Sequence, residues 1–351
     1  MTEKIHSELK RVLTKEASKK GPVDVQDLIK LIYQNEFAGG HLIADRKLAL
    51  TRLQEEYDKA APMPEQELFE TIGNRIVRLN LPALKAAEKK PVLATVNGMF
   101  AATAEVRTGS VESFEEKLSL LQSLCKSGEL PYGDITAVLA EYQKEGYPPK
   151  SHTEQYRQAF SPAYRVLDER FVQHFMLFAD IDKVLAENGT CLLAVDGGSG
   201  TGKSSLAALI QKTYGKENCN VFHTDDFFLQ KHQRTPERFA EAGGNIDYER
   251  LESEVLEGIA SGKTFSYRPF ECWHMELGGS VTVSPKPLTV VEGVYSLHPR
   301  YKERYDLSVI LKEDYQERLK RIRQRDGEEM LKRFVNEWIP MEDRYFEMIL
   351  R

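Results

Sequence analysis

The chain has 351 residues, of which 41% are hydrophobic and 29% charged, with a formal net charge of -6. That is apolar material for one large or two ordinary domains, and the acidic balance speaks against a general nucleic-acid binder, whose footprint is usually basic. The N-terminal stretch is charged throughout, no run of about 18 apolar residues occurs, and Cys125, Cys191, Cys219 and Cys272 form no CxxC pair; the expectation is free thiols, no membrane span and a cytoplasmic location.

The first half reads as helices. After the Gly21-Pro22 break, Asp24 can cap a segment with Leu28, Ile29, Ile32 and Tyr33 at helical spacing. Pro64 opens a second, with Leu68, Phe69, Ile72, Ile76 and Val77 on one stripe. Ser113 and Glu116 fit a capping box before Leu118, Leu120, Leu121 and Leu124, and Gly128 can stop that helix. Asp134 starts a further one that ends near Gly146. The stretch Gln34–His41 stands out, because Gly39-Gly40 breaks a helix and presents His41 and Glu36, most simply as a helix end with a surface histidine. Two prolines and a glycine within residues 146–151 are punctuation, and the domain boundary is placed there, giving domains 1–150 and 151–351. Pro162 then opens a long helical segment that ends at Gly189.

From there the pattern changes. Cys191–Val195 is a short continuous apolar run, as expected of a strand buried on both faces. Asn220–Phe222, Leu288–Val291 and Leu307–Leu311 are similar, with helical patterns between them. Strands alternating with helices imply βαβ units and a parallel sheet. The expected fold is therefore α/β, a parallel sheet flanked by helices and preceded by a separate all-helical domain, and the loop GGSGTGKS after its first strand makes it a P-loop NTPase sheet.

Gly197-Gly198-Ser199-Gly200-Thr201-Gly202-Lys203-Ser204 matches GxxxxGK[ST] between a strand and a helix that continues from Ser205. Glycines let the backbone N–H groups point inward at phosphate oxygens, and the helix N-terminus adds partial positive charge. Lys203 supplies a mobile full charge to the phosphates, and the Ser204 hydroxyl is a hard oxygen suited to Mg2+. The expected nucleotide is ATP. Asp225 and Asp226 follow the second strand, where residues of an open α/β sheet face the ligand crevice. A carboxylate there can deprotonate a substrate hydroxyl or hold metal-bound water. Glu292 ends the third strand in a position to reach Mg2+. Arg318, Arg321 and Arg325 fall on one helical face, which suits a transferring phosphoryl group between them.

These residues resemble the uridine kinase family within the phosphoribulokinase/uridine kinase group of P-loop kinases, over roughly residues 165–351. GGSGTGKSS matches the family's phosphate loop, His223–Phe228 its strand-end motif, Glu292-Gly293 its second acidic site, and RLKRIRQRD its lid. The resemblance implies Asp225 as catalytic base with Asp226 in reserve, Mg2+ near Ser204, Asp225 and Glu292, and phosphate contacts from Arg321 and Arg325. It implies substrate contacts at Asp226, Asp247, Tyr267 and His274; the family's base-reading histidine falls on or near Cys272, with His274 displaced from that place. The expectation is transfer of the ATP γ-phosphoryl group to a hydroxyl of a small, ribose-bearing metabolite, with no nucleic-acid or membrane partner and a homo-oligomer allowed. Two rivals stand beside it. One is a kinase of a non-nucleoside such as a pantothenate-like compound or sugar acid. The other is an ATP-gated binding module without turnover.

Overall fold

The computed structural model of the protein describes residues 3–107 and 109–350. By packing, the chain divides into two units, Met1–Ala179 and Asp180–Arg351. The Gly146–Ser151 punctuation thus lies inside the first unit, as a turn tied down by the Tyr142 hydroxyl donating to the Pro148 carbonyl at 2.8 Å. Proline and glycine mark a change of backbone direction there, and the later segment Tyr164–Asp168 is held to the first unit by strand pairing.

The first unit is mostly helical. Its core gathers Leu13, Leu28, Ile32, Phe114 and Leu121 among others. The helix Val25–Phe37 starts as expected. Asp24 accepts from Gln26 N–H at 2.9 Å, and Asp27 accepts in return from Asp24 N–H at 3.1 Å. The helix Val111–Lys126 is capped by Ser110, three residues before the expected Ser113, whose own hydroxyl donates to Glu36.

Two helical expectations are corrected here. No helix follows Pro64; Phe69 and Ile72 lie on β1 (Phe69–Gly73), while Ile76 and Val77 lie on β2 (Ile76–Asn80). The two strands form an antiparallel hairpin whose turn has Asn74 and Arg75 at φ 54° and 59°. Nor does a helix open at Pro162: β3 (Tyr164–Asp168) pairs antiparallel with β2, and only then does the helix Arg170–Asn188 begin. Among the described residues, a three-stranded sheet in the order β1-β2-β3 is therefore set into the helical unit.

The core of this unit is unusually polar. Lys117, 2% exposed, donates to Glu36 and Asn35, and Glu36 also accepts from the Ser110 backbone and the Ser113 hydroxyl. Glu36 is thus buried and paired, not presented at a helix end; only His41 of that motif is exposed.

The second unit contains β4 (Cys191–Gly197), β5 (Cys219–His223), two short ribbons formed by β6 (Phe265–Tyr267), β7 (Phe270–Glu271), β8 (Glu276–Leu277) and β9 (Val281–Val283), then β10 (Leu288–Glu292) and β11 (Leu307–Leu311). The main sheet has the order β11-β4-β10-β5, and every pairing in it is parallel. Every residue of β10 is buried and β4 nearly so, which is why their sequences are unbroken apolar runs without alternation. The chain leaves β4 for β5 two places away, so the C-terminal ends of β4, β10 and β5 open side by side, the place where open α/β sheets bind ligands. No helix among the described residues is long and apolar enough to cross a membrane.

Candidate active site

Register alone brings the expected site residues together. Glu292 at the end of β10 stands opposite Val195 of β4 and His223 of β5. The loop Gly198–Gly202 leads from β4 straight into the helix Lys203–Tyr214, with Lys203 as its first residue. The Lys203 ammonium is nearly buried and donates to the Gly198 carbonyl at 3.1 Å. Burial pulls its pKa down, against the opposing pull of Glu342, Glu292, Asp196 and Asp225. Ser204 and Ser205 are exposed on the first turn of that helix. Thr201 closes the loop on itself, its hydroxyl donating to Gly198 O at 2.8 Å.

Asp225 and Asp226 sit in the 3-10 turn Thr224–Phe227 directly after β5. Asp225 keeps solvent access at the surface of a recess, yet the protein crowded around it raises its carboxyl above the ordinary range. Lys203 opposes that rise, Glu292 adds to it, and His223 and Arg325 oppose it again. Asp226 is raised by burial as well, and accepts a long hydrogen bond from the Tyr267 hydroxyl at 3.5 Å. Tyr267 packs on Phe222 and Phe227, with ring centroids 5.4 and 5.8 Å away. Glu292 is buried and lies 2.5 Å from His223 Nδ1, a contact that holds the histidine pKa above its usual value.

The arginine face forms as the spacing implies, and it meets the loop. Arg318 Nε donates to Ser199 O at 2.8 Å, and Arg321 Nη1 donates to Gly200 O at 3.3 Å. Arg325 is near enough to Asp225 for their charges to couple. Arg321 also pairs with Glu313 at 2.6 Å, and Arg325 with its neighbour Asp326 at 2.7 Å.

Two expected substrate residues stand elsewhere. Asp247 is buried and spent on structure: it caps the turn before Arg250, accepts from Gln233 at 2.8 Å and pairs with Arg250 at 3.6 Å. Its link to the site runs through Arg250, which donates to the Asp226 carbonyl at 3.0 Å. His274 points away. The turn between β7 and β8 leaves its side chain 72% exposed, 3.8 Å from Glu271. It is Cys272, itself exposed, that lies close to the carboxylates: the protein around it and then the charge of Asp225 raise its thiol.

Three residues at the site were given no role by the motifs. Asp196, fully buried before the loop, accepts from Tyr345 at 2.6 Å, from Leu297 N–H at 2.9 Å and from Gly197 N–H at 2.7 Å. His223 pairs with Glu292 as described. Glu342, from the helix Ile339–Ile349, is 3% exposed. It accepts from both the backbone N–H (2.9 Å) and the hydroxyl of Ser199, and pairs with Arg318 at 3.0 Å. A side chain at Gly198 would strike Arg318 at 2.4 Å, so the glycine is what lets this clamp close on the loop.

The donor set Ser204, Asp225 and Glu292 is all hard oxygen, which suits Mg2+, an ion that takes few protein ligands and relies on phosphates and water for the rest. Among the described residues no group of three or more His, Cys, Asp or Glu is arranged to hold a metal alone.

No family model matches the chain. It is 25% identical over 170 residues to a uridine kinase of Clostridium perfringens strain SM101 / Type A, covering 44% of this chain and 80% of that protein. The uridine kinase of Clostridium perfringens strain 13 / Type A is 24% identical over the same length and coverage. A solved structure of a possible uridine kinase from Bacillus stearothermophilus is 21% identical and covers 49% of this chain and 92% of that one, with a TM-score of 0.37. Over part of its length the protein is similar to uridine kinases and has the make-up of a P-loop kinase.

Proposed function

We propose that the protein transfers the γ-phosphoryl group of ATP to a hydroxyl of a small, ribose-bearing metabolite, a nucleoside first among the candidates. The observation that carries this is the convergence of Lys203, Asp225 and Glu292 at adjacent strand ends, faced by the arginines of the helix Tyr315–Arg333. A module that only binds nucleotide needs neither a carboxylate with a raised pKa nor an arginine face beside it.

Lys203 and the amides of the loop hold the β- and γ-phosphates. Asp225 takes the proton of the acceptor hydroxyl as its oxygen bonds to the γ-phosphorus and the bridging oxygen leaves with ADP. The raised carboxyl pKa of Asp225 makes it a better proton acceptor than an ordinary aspartate. Asp226 and Tyr267 line the acceptor side. Arg321 and Arg325 exchange their surface carboxylate partners for the transferring group, where developing charge is greatest. Ser204, Asp225 and Glu292 are the residues that would hold Mg2+, whose chemistry when bound is to neutralise charge on the phosphate oxygens.

A nucleoside acceptor is favoured over the sugar-acid rival by the likeness to uridine kinases and by the aromatic Tyr267 beside Asp226. The test is ATP consumption against a panel of nucleosides, pantothenate-like alcohols and sugar acids, with products identified by mass spectrometry. A phosphorylated nucleoside is the expected product, and Lys203→Ala should reduce its formation by about 10²–10³-fold. A non-nucleoside product alone, or none with any acceptor, would refute the reading.

A further inference from the structure

The first unit contains a cavity of about 180 Å³ that the reaction above does not use. Its lining mixes apolar and aromatic residues, Tyr33, Phe100, Leu42 and Pro162, with Lys30, Lys150, Arg165, Glu56 and the Tyr164 hydroxyl, and the Arg165 guanidinium lies 6.0 Å from the centre of the Phe100 ring. The unusual Gln34–His41 stretch forms one edge. Gly39 is fixed by packing, since a Cβ there would meet the Phe100 ring at 2.2 Å, and His41 stands edge-on to Tyr33 at 5.6 Å.

The lining cations are not equally paired. Lys150 is paired with Glu145 at 2.7 Å, and Arg165 with Glu56 at 2.7 Å. Lys30 instead meets a phenol: it donates to the Tyr164 oxygen at 3.3 Å, and among the described residues it has no carboxylate within ion-pair distance. Both histidines at this cavity are driven toward the neutral form, the buried His152 by its burial and the nearby Lys30 and Arg78, the exposed His41 by the protein around it and Lys30. Lys30 is thus the lining cation with no carboxylate against it; the buried Asp27 is reached from it only through Tyr164 and His152.

That charge sits in a built setting. The Tyr164 hydroxyl donates to His152 Nε2 at 2.8 Å, and His152 Nδ1 donates to the fully buried Asp27 at 2.8 Å. Asp27 is held in turn by the backbone and hydroxyl of Thr153, at 3.0 and 2.9 Å. Gln34 Nε2 also donates to the Tyr164 oxygen, at 3.2 Å. A buried polar chain of this length is costly unless every member is satisfied, so its end at a cavity wall marks a place where orientation matters.

We propose that this cavity binds a small organic monoanion, a carboxylate carried on a single ring, with the carboxylate on Lys30 and Tyr164 and the ring against Tyr33 and Phe100. The volume lies below the ~300–1,000 Å³ of sites for drug-sized ligands, which limits the occupant to about one ring. The lining cation without a carboxylate partner suits a monoanion, and the apolar and aromatic lining residues suit a ring over a bare acid.

Calorimetric titration of the full chain with sodium benzoate, benzamide and sodium acetate tests this. Benzoate should bind saturably at one site per chain, with the uncharged ring amide and the ringless acid weaker by about tenfold or more. Lys30→Gln should lose the benzoate response. So should Leu42→Trp, which fills the mouth from a residue 48% exposed and leaves the polar chain untouched, so a folding defect cannot explain both. Lys203→Ala should keep it, which separates this site from the phosphate loop. Absence of saturable benzoate binding, equal binding of benzamide, an unchanged response in the two cavity variants, or its loss in Lys203→Ala would each overturn the proposal.

Discussion

A carboxylate that accepts a proton works only when ionised, and Asp225 ionises later than an ordinary aspartate. Burial and Glu292 lift its pKa, while Lys203, His223 and Arg325 only partly offset them. Turnover should therefore fall as the pH drops through this raised value, and the acidic limb of kcat/KM should lie above the ~4 of a free aspartate. A profile that stays flat down to that pH would exclude Asp225 as the base. Glu342 makes a second residue-scale prediction. Its carboxylate occupies the Ser199 N–H and adds negative charge close to Lys203, where phosphate oxygens would bring more of the same sign. Glu342→Gln should tighten ATP binding by about three- to tenfold, and lower thermal stability because Arg318 loses its partner. Calorimetry and a melting curve read the two effects separately; weaker ATP binding in Glu342→Gln would mean that the carboxylate supports the loop rather than competing for it.

At the scale of elements, the helical unit is held by buried ion pairs as well as by apolar packing. Lys117 on the helix Val111–Lys126 joins Glu36 and Asn35 at the end of the helix Val25–Phe37. Lys117→Met leaves Glu36 buried without its cation and should cost about 3–5 kcal/mol in denaturant unfolding; a loss under about 1 kcal/mol would class the pair with surface salt bridges. Such pairs were illegible in the sequence, where Glu36 read as presented at a helix end and nothing singled out Lys117. The strands β4 and β10 were legible because burial on both faces writes an unbroken apolar run. The hairpin β1-β2 was not, for Phe69, Ile72, Ile76 and Val77 also fit a helical stripe, and β1 carries an irregularity between Thr71 and Gly73 that spoils its alternation. The one available signal was Gly73-Asn74, a turn pair. β3 was missed because five residues, Tyr164–Asp168, were merged into the longer pattern that follows. At the site, Lys203, Asp225 and Glu292 were legible from motif spacing. Asp196 and Glu342 were not, since only folding brings residue 342 to residue 199.

For the molecule as a whole, a net charge of -6 coexists with a phosphate site because the local field is set by a few groups: the loop amides, Lys203 and the Arg318–Arg325 face. Each unit has its own polar apparatus, a loop and carboxylates in one, a phenol-histidine-aspartate chain in the other. The measurement that reaches the central claim most directly is a comparison of wild type and Asp225→Asn, with ATP affinity and acceptor-dependent ADP release recorded on the same preparations. We predict ATP binding within about threefold of wild type and turnover lower by about 10²-fold or more, as expected when a general base is removed from an intact phosphate site. Full turnover in Asp225→Asn, or ADP release that no acceptor stimulates in the wild type, would contradict the account.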